Sequence, residues 1–400
     1  MTHPVATTEQ HEHELAALEL VEHPTVKAAY QEIADRWLER ANPGPAMREA
    51  FPAAFEEVMF SAAIWSSNQN SLRPKVTCIT RLEHTVDGKR VPGSRWGIDN
   101  PDTVYRVIPV NGEDQYVIRG RVGKQRMTEN YFTLWDPNML SLDVLNGTTM
   151  EVASDGSFEI TVGPDVISKN HITTQPTAKE LYIRDVLLDW AGDDPNTFSV
   201  ERIGGNGAEW SRDEQAQKTA DMMAYFADFT GKLAHGAYKL EPNQFSMRWT
   251  ADHSGGLRNQ VYVMGRYELA DDEAFVVDVS DGGAKYFTVP LGNKWGTTLE
   301  ILDSTGSLNK AQSEPNADGT YTYVISATDP GVHNWIDTGG LPEGLLTLRM
   351  AEFPPGGATE DLSAQGRVVK LSDVQGSFDG RAQQLADRRA AYLRRLPEEA

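Results

Sequence analysis

Two stretches of this chain gather side chains able to do chemistry. The first runs Trp96-Gly97-Ile98-Asp99-Asn100-Pro101-Asp102-Thr103-Val104-Tyr105-Arg106 and combines two carboxylates, an amide, aromatic rings and a guanidinium. Carboxylate and amide groups accept from and donate to hydroxyls while Trp96 and Tyr105 offer flat apolar surface, a combination suited to a hydroxyl-rich ligand. Asn-Pro and Pro-Asp are also turn formers, and an Asp in a turn caps its own backbone, so a purely local role stands beside the functional one. The second stretch is His333-Asn334-Trp335-Ile336-Asp337-Thr338, with Arg349 on the strand that follows. In the functional reading, Asp102, Asp337 and His333 are the acid–base candidates, and Trp96, Asn100, Tyr105, Arg106, Asn334 and Trp335 bind substrate. A third candidate is Asp252-His253 before Ser254-Gly255-Gly256, where a loop carboxylate could orient a general base.

These loops sit in a chain that repeats itself. Phe287-Thr288-Val289, Gly292-Asn293, a strand expected at Leu299-Glu300-Ile301-Leu302, Asp318-Gly319, Tyr321 to Ile325, the Asn334 loop and Leu345 to Arg349 follow one another in the second half. The first half gives Phe132-Thr133-Leu134, Pro137-Asn138, Asp155-Gly156, Phe158 to Val162, Asn170-His171-Ile172 and Leu181 to Arg184 in the same order. So many landmarks in one order indicate internal duplication. What both halves keep, an Asn, an Ile and an Arg (Arg184 and Arg349), is expected to be structural. What only the second half has, His333, Trp335 and Asp337, is expected to be functional.

The coarse reading gives a helical segment over 1–69, a first β domain over 70–205, a connecting helix within 206–243, a second β domain over 244–370 and a C-terminal helix within 371–400. Apolar residues spaced by three and four, such as Val26, Ile33, Trp37 and then Phe51, Phe55, Val58, mark the first segment as helical. From about residue 70, short alternating runs broken by Asp87-Gly88, Asn111-Gly112 and Asp155-Gly156 read as antiparallel strands and hairpins. Ser211 with Glu214 three residues on is a capping box that opens the connecting helix. The predicted fold class is mainly β with helical additions: two tandem antiparallel β-sandwiches of jelly-roll type.

A formal net charge of −21 sets the whole molecule against nucleic-acid phosphates and anionic membrane surfaces. A small-molecule or glycan ligand fits better. The lone Cys78 lies in an alternating strand-like run and is expected to be a buried, unreactive thiol, consistent with a cytoplasmic location. His11 and His13 point to different sides of a helix and do not converge on a metal. No G-x-S-x-G elbow, H-E-x-x-H, phosphate loop or dinucleotide fingerprint is present, so no cofactor is expected. The C-terminal cluster Arg381, Arg388, Arg389, Arg394 and Arg395 is expected to pair internally with acidic groups.

Asn100-Pro101-Asp102-Thr103-Val104-Tyr105, Asp318-Gly319, Asn334-Trp335-Ile336 and Leu348-Arg349 resemble the bacterial paired domains of unknown function numbered 1254 and 1214. That resemblance implies tandem jelly-roll sandwiches with helical additions over about residues 70–360, and it carries no activity with it. Three functional readings follow from the residues: a hydrolase, carbohydrate-active or related, with its site in loops of the two sandwiches; a non-catalytic carbohydrate or small-molecule binder; and a catabolic enzyme for an apolar cyclic substrate lined by Trp65, Trp96, Trp335 and Phe353.

Overall fold

The structure is a computed structural model that describes residues 4–250 and 260–395, apart from the side chains at 235 and 248–250. Asp252-His253 lies outside the described residues. Three helices come first: α1 (Thr8–Val21), α2 (Pro24–Ala41) and α3 (Pro45–Ser66). Their ends follow from local chemistry. The Thr7 side chain accepts from the Gln10 amide to cap α1, Pro24 and Pro45 stand in the first turns of α2 and α3, and Asn42 ends α2 in the left-handed conformation.

The first β domain contains β1 (Thr77–Cys78), β2 (His84–Val86), β3 (Lys89–Val91), β4 (Thr103–Pro109), β5 (Tyr116–Arg121) and β6 (Glu129–Trp135). It continues with β7 (Ser141–Asn146), β8 (Ser157–Gly163), β9 (His171–Thr173), β10 (Glu180–Val186) and β11 (Thr197–Arg202). Helix α4 (Arg212–Ala237) follows and opens with the reciprocal Ser211–Glu214 capping box. The second β domain runs β12 (Gln244–Thr250), β13 (Gln260–Glu268), β14 (Glu273–Ser280), β15 (Tyr286–Gly292) and β16 (Ser307–Asn309). It ends with β17 (Tyr321–Ser326), β18 (Trp335–Asp337), β19 (Glu343–Ala351) and β20 (Ser363–Lys370), and α5 (Arg381–Leu393) closes the chain.

The two domains have one topology. In the first, β1-β4-β10-β6-β7 forms one sheet and β11-β5-β8-β9 the other; in the second, β12-β13-β19-β15-β16 faces β18-β17-β14-β20. Every strand of the second domain has a counterpart in the first, down to the short parallel pairs β8–β9 and β17–β18, and the first domain carries the β2–β3 hairpin in addition. Each sandwich buries its own apolar core: Ile108, Ile118, Phe132, Ile160 and Ile183 in the first, Val263, Phe275, Phe287, Tyr323 and Leu348 in the second.

Asn170 and Asn334 show why the duplication keeps an amide. Asn170 Nδ2 donates to the Glu151 and Glu159 carbonyls while its Oδ1 accepts from Glu151 N. Asn334 does the same with the Glu314 and Thr322 carbonyls and Glu314 N. In each half one amide ties a connecting loop to a strand, satisfying backbone groups that pair with no other strand.

The helices pack on the outward face of the first sheet. Trp65, Phe226 and Trp96 join Tyr182 and Trp135 in a large mixed core. Leu299–Leu302, expected as a strand, is irregular instead: Glu300 Oε1 accepts from the amides of Ile301 and Leu302, and Arg95 and Arg388 take up the carbonyls of Thr298, Leu299 and Ile301. Its apolar residues are buried by side-chain packing, and alternation alone does not distinguish that from a ladder.

Candidate active site

Alternation along the strands decides which side chains meet. On β10 the inward residues Leu181 and Ile183 fill the first sandwich, so Tyr182 and Arg184 project outward. On β19 the inward residues are Leu346, Leu348 and Met350, so Arg349 projects outward. Cross-strand partners extend both faces: Arg184 is flanked by Tyr105 and Tyr131, and Arg349 by Tyr262 and Thr288. The outward faces of the two larger sheets meet. Contacts across this interface include Gln260 to Glu129 (2.7 Å), Tyr131 to Glu352 (2.5 Å), Asn100 to Tyr286 (2.8 Å) and Arg349 to Tyr105 (3.5 Å). Both arginines exert their charge on Glu129 and Tyr262.

Glu129 is the unusual acid of this interface. Only 1% of it is exposed; Oε1 accepts from Gln260, and Oε2 has no partner. Burial and the negative charge of Glu352 push its carboxyl up to about 8, against the opposing pull of Arg184 and Arg349. It is therefore mostly protonated at neutral pH. Nearby, Arg349 donates to the Tyr105 hydroxyl and the Ile98 carbonyl, while its Nε lacks any partner. Thr133 Oγ1 and Thr288 Oγ1 are likewise buried without partners on these same two outward faces. Buried polar atoms without partners also occur elsewhere in the molecule, at Thr77, Thr305 and Arg395 for example, and these four lie on the two facing sheets.

Two backbone positions at the interface are strained. Ile98 has φ 60° and Glu352 φ 55°, the left-handed region that a β-branched residue in particular avoids. Ile98 presents its carbonyl to Arg349, and Glu352 presents its carboxylate to Tyr131. Strain of this kind persists where surrounding contacts enforce it, and it concentrates at functional sites.

The residues suggested by the sequence divide into three groups. Asn100, Asp102 and Tyr105 do reach the interface. Asp102 is fully buried, and Trp190 Nε1 (2.8 Å), Asn309 Nδ2 (2.9 Å) and the Tyr286 hydroxyl (2.7 Å) all donate to it. Two of those donors come from the second domain, so Asp102 ties the two domains together. Asn100 caps its own turn, accepting from Asp102 N, and the Tyr105 hydroxyl accepts from Asn100 N and from Arg349.

Trp96 and Arg106 leave the predicted constellation. Trp96 stacks on Phe226 at 3.9 Å and meets Trp65 at 5.3 Å, inside the helical core. Arg106, one residue past Tyr105, points the opposite way into the first sandwich, where it pairs with buried Asp185 at 2.6 Å and donates to the Asn196 carbonyl. The Asn334 loop forms the third group. Trp335 Nε1 donates to Ser326, and its ring lies under the Arg381 guanidinium; His333 contacts Asn334 Oδ1 and the Phe378 ring; Asp337 accepts from Ser304 and Gly339 N. Asp337 and Asp102 thus share no partner. Trp65 and Trp96 meet, whereas Trp335 is engaged with α5, so the four aromatics expected around an apolar substrate do not form one lining.

Other sites carry less. A hollow of about 820 Å³ beside β5 and β8 is lined by Arg119, Arg126, Glu151 and Glu159. Its charges are already used: Arg119 pairs with Glu159 and Glu201, and Arg126 donates to the carbonyls of Thr148 and Met150. Cys78 is buried, with burial pushing its thiol up, as the alternating strand suggested. Among the described residues no group of three or more His, Cys, Asp and Glu side chains is arranged to hold a metal ion, and no helix is long and apolar enough to cross a membrane. The C-terminal arginines do pair internally: Arg381 with Asp329, Arg389 with Asp303, Arg394 with Asp194, and buried Arg388 with the Ile301 carbonyl and Gln312.

The fold has a solved neighbour. An uncharacterised protein from Burkholderia cenocepacia superposes with a TM-score of 0.76 at 25% identity, covering 89% of this chain and 99% of the other. A second crystal structure, of a protein from Vibrio parahaemolyticus, aligns with a TM-score of 0.44 at 12% identity over 68% of this chain and 90% of its own. No known family profile and no curated protein matches the sequence. The neighbour extends over nearly its whole length, so the tandem sandwiches and their helical cover form one architecture shared by both proteins.

Sequence reasoning missed Glu129, Tyr131, Gln260, Tyr262, Tyr286 and Glu352. Each lies in or beside a strand rather than in a polar loop. The available signal was parity: Glu129 and Tyr131 alternate with Phe132 and Leu134, as Tyr182 and Arg184 alternate with Leu181 and Ile183, which places charge and aromatic rings together on an outward face.

Proposed function

We propose that this protein is a cofactor-independent hydrolase of a small polar molecule, with its site between the outward faces of the two sandwiches rather than in the loops at their ends. The supporting observation is Glu129, a buried carboxyl held protonated, with one oxygen unpartnered, in a cluster that also holds a second carboxylate and two guanidinium groups. Carboxyl groups whose environments separate their protonation states are the recurring pattern of acid–base catalysis. In this reading water adds across the scissile bond. Glu352, positioned by the Tyr131 hydroxyl, accepts the proton of the attacking water, and Glu129 delivers its proton to the leaving oxygen.

The resemblance to the paired domains of unknown function belongs to this reading, as does a bacterial cytoplasm, which suits a chain whose one thiol is buried. The test begins with a thermal-shift screen of sugars, organic acids and esters, because a true ligand stabilises the folded state. Each hit is then assayed for turnover with Glu129→Gln, which preserves shape and the Gln260 contact but cannot release a proton. Loss of turnover by at least 100-fold with the thermal shift retained supports the hydrolase. Retention of both overturns it, and a ligand that stabilises but is never turned over makes the protein a binder.

A further inference from the structure

We infer that the molecule received between the two sandwiches carries a carboxylate, and that Arg349 is the residue that pairs with it; this rests on the site proposed above. Arg349 is more than nine-tenths buried, and its two hydrogen bonds go to a phenol and a peptide carbonyl rather than to a carboxylate. Its Nε is left without a partner. Arg106, on β4, by contrast sits 2.6 Å from Asp185 and also donates to the Asn196 carbonyl. A buried cation without a counter-ion is costly, and leaving one N–H unsatisfied adds to the cost, so Arg349 is explained by an anion that arrives with the ligand.

The acids nearby are already neutralised or engaged. Glu129 is protonated, Asp102 is held by three donors, Asp99 accepts from Thr298 N and Oγ1, and the Glu352 carboxylate accepts from Tyr131. None of these four acids accepts a hydrogen bond from the Arg349 guanidinium, whose acceptors are the Tyr105 hydroxyl and the Ile98 carbonyl.

The shape of the donor set narrows the anion. A guanidinium presents planar N–H groups that match a carboxylate. The protonated Glu129 carboxyl and the phenols of Tyr105 and Tyr262 add neutral donors, suited to the weakly basic oxygens of a carboxylate or a hydroxyl. The Tyr262 ring, with the Arg349 guanidinium 5.8 Å from its centroid, adds an aromatic surface beside that charge. Acidic sugars and aromatic acids share this chemistry.

The experiment uses charge-matched pairs with the full chain: D-glucuronate against D-glucose, and benzoate against benzamide, each titrated while the melting temperature is followed. The expected result is that at least one carboxylate raises the melting temperature in a saturable way, with its uncharged partner at least tenfold weaker. Glucuronate as the better member indicates an acidic sugar, and benzoate an aromatic acid. Arg349→Lys keeps the charge but loses the planar fork and should weaken the carboxylate at least tenfold; if it does not fold, Tyr262→Phe serves and should weaken it severalfold. Equal stabilisation by the uncharged partners, lost in Tyr262→Phe, overturns the carboxylate but leaves the site. No stabilisation by either carboxylate overturns the inference outright. Carboxylate binding that ignores both substitutions places the ligand elsewhere and overturns the inference together with the site.

Discussion

Removing the titratable proton of Glu129 should change how stability depends on pH, and the direction follows from the structure. Its carboxyl is raised from 4.5 to about 8 by burial and by Glu352. Between those values the folded chain holds a proton that the unfolded chain has released, so stability falls as pH rises through this window. At 1.36 kcal/mol per unit, the loss approaches about 2 kcal/mol at pH 6 and about 5 kcal/mol above pH 8, an upper limit because local relaxation and water entry soften it. Glu129→Gln stays neutral throughout and escapes the loss.

The assay is urea unfolding of both proteins at pH 5, 6.5 and 8.5, read as the difference between them. Other groups titrate in the acid range, notably His13, lowered to about 4 by burial and by Lys75, but they are common to both proteins and cancel. The wild type should lie within about 1 kcal/mol of Glu129→Gln at pH 5 and fall several kcal/mol further behind at pH 8.5. A difference that is flat across this range would refute the claim that Glu129 is held protonated, and with it the general-acid role.

Three further outcomes follow from named contacts. Asp102→Ala leaves the Trp190, Asn309 and Tyr286 donors unpaired and should cost about 3–5 kcal/mol in urea unfolding, whereas Asp337→Asn, whose partners are one serine hydroxyl and one loop amide, should cost less than about 1 kcal/mol. Asn170→Ala and Asn334→Ala should each destabilise by about 2–3 kcal/mol, and equally within error, because the two amides make matching sets of three backbone hydrogen bonds. Burial opposes the ionisation of Glu14, but Arg81 and His84 outweigh it and hold its carboxyl at about 2, so this contribution is present above pH 4.5 and is lost as pH falls through 2. Acid unfolding of Glu14→Gln, followed by circular dichroism, should lack that component.

The architecture was legible because it is written locally. Turn pairs such as Asp155-Gly156 and Asp318-Gly319, alternating strands and the Ser211–Glu214 cap are decided within a few residues, and the duplication repeats them in order. The loop residues were legible as a cluster but not as to use. Asp102 looked like a free acid and turned out to hold two domains together, a role fixed by Tyr286 and Asn309 far along the chain. Arg106 and Tyr105 are neighbours in sequence and face opposite sides of one sheet. The arginine pair was visible as a repeat and read as structural, because one copy in each half suggests two equivalent scaffolds. Two equivalent strands, however, can also bring their outward faces to one interface, and only the packing of the sheets reveals that.

The most direct measurement of the central claim, that the two sheet faces together form the ligand site, is the dissociation constant of one stabilising ligand across four variants. Glu129→Gln, Tyr262→Phe and Arg349→Lys alter the interface, and Asp337→Asn alters the loop at the end of the second sandwich. The account predicts that Tyr262→Phe and Arg349→Lys weaken binding severalfold to tenfold or more, that Glu129→Gln removes turnover while binding persists, and that Asp337→Asn leaves both unchanged. Binding untouched by the three interface substitutions and abolished by Asp337→Asn would contradict it and return the site to the loop around Asn334 and Trp335.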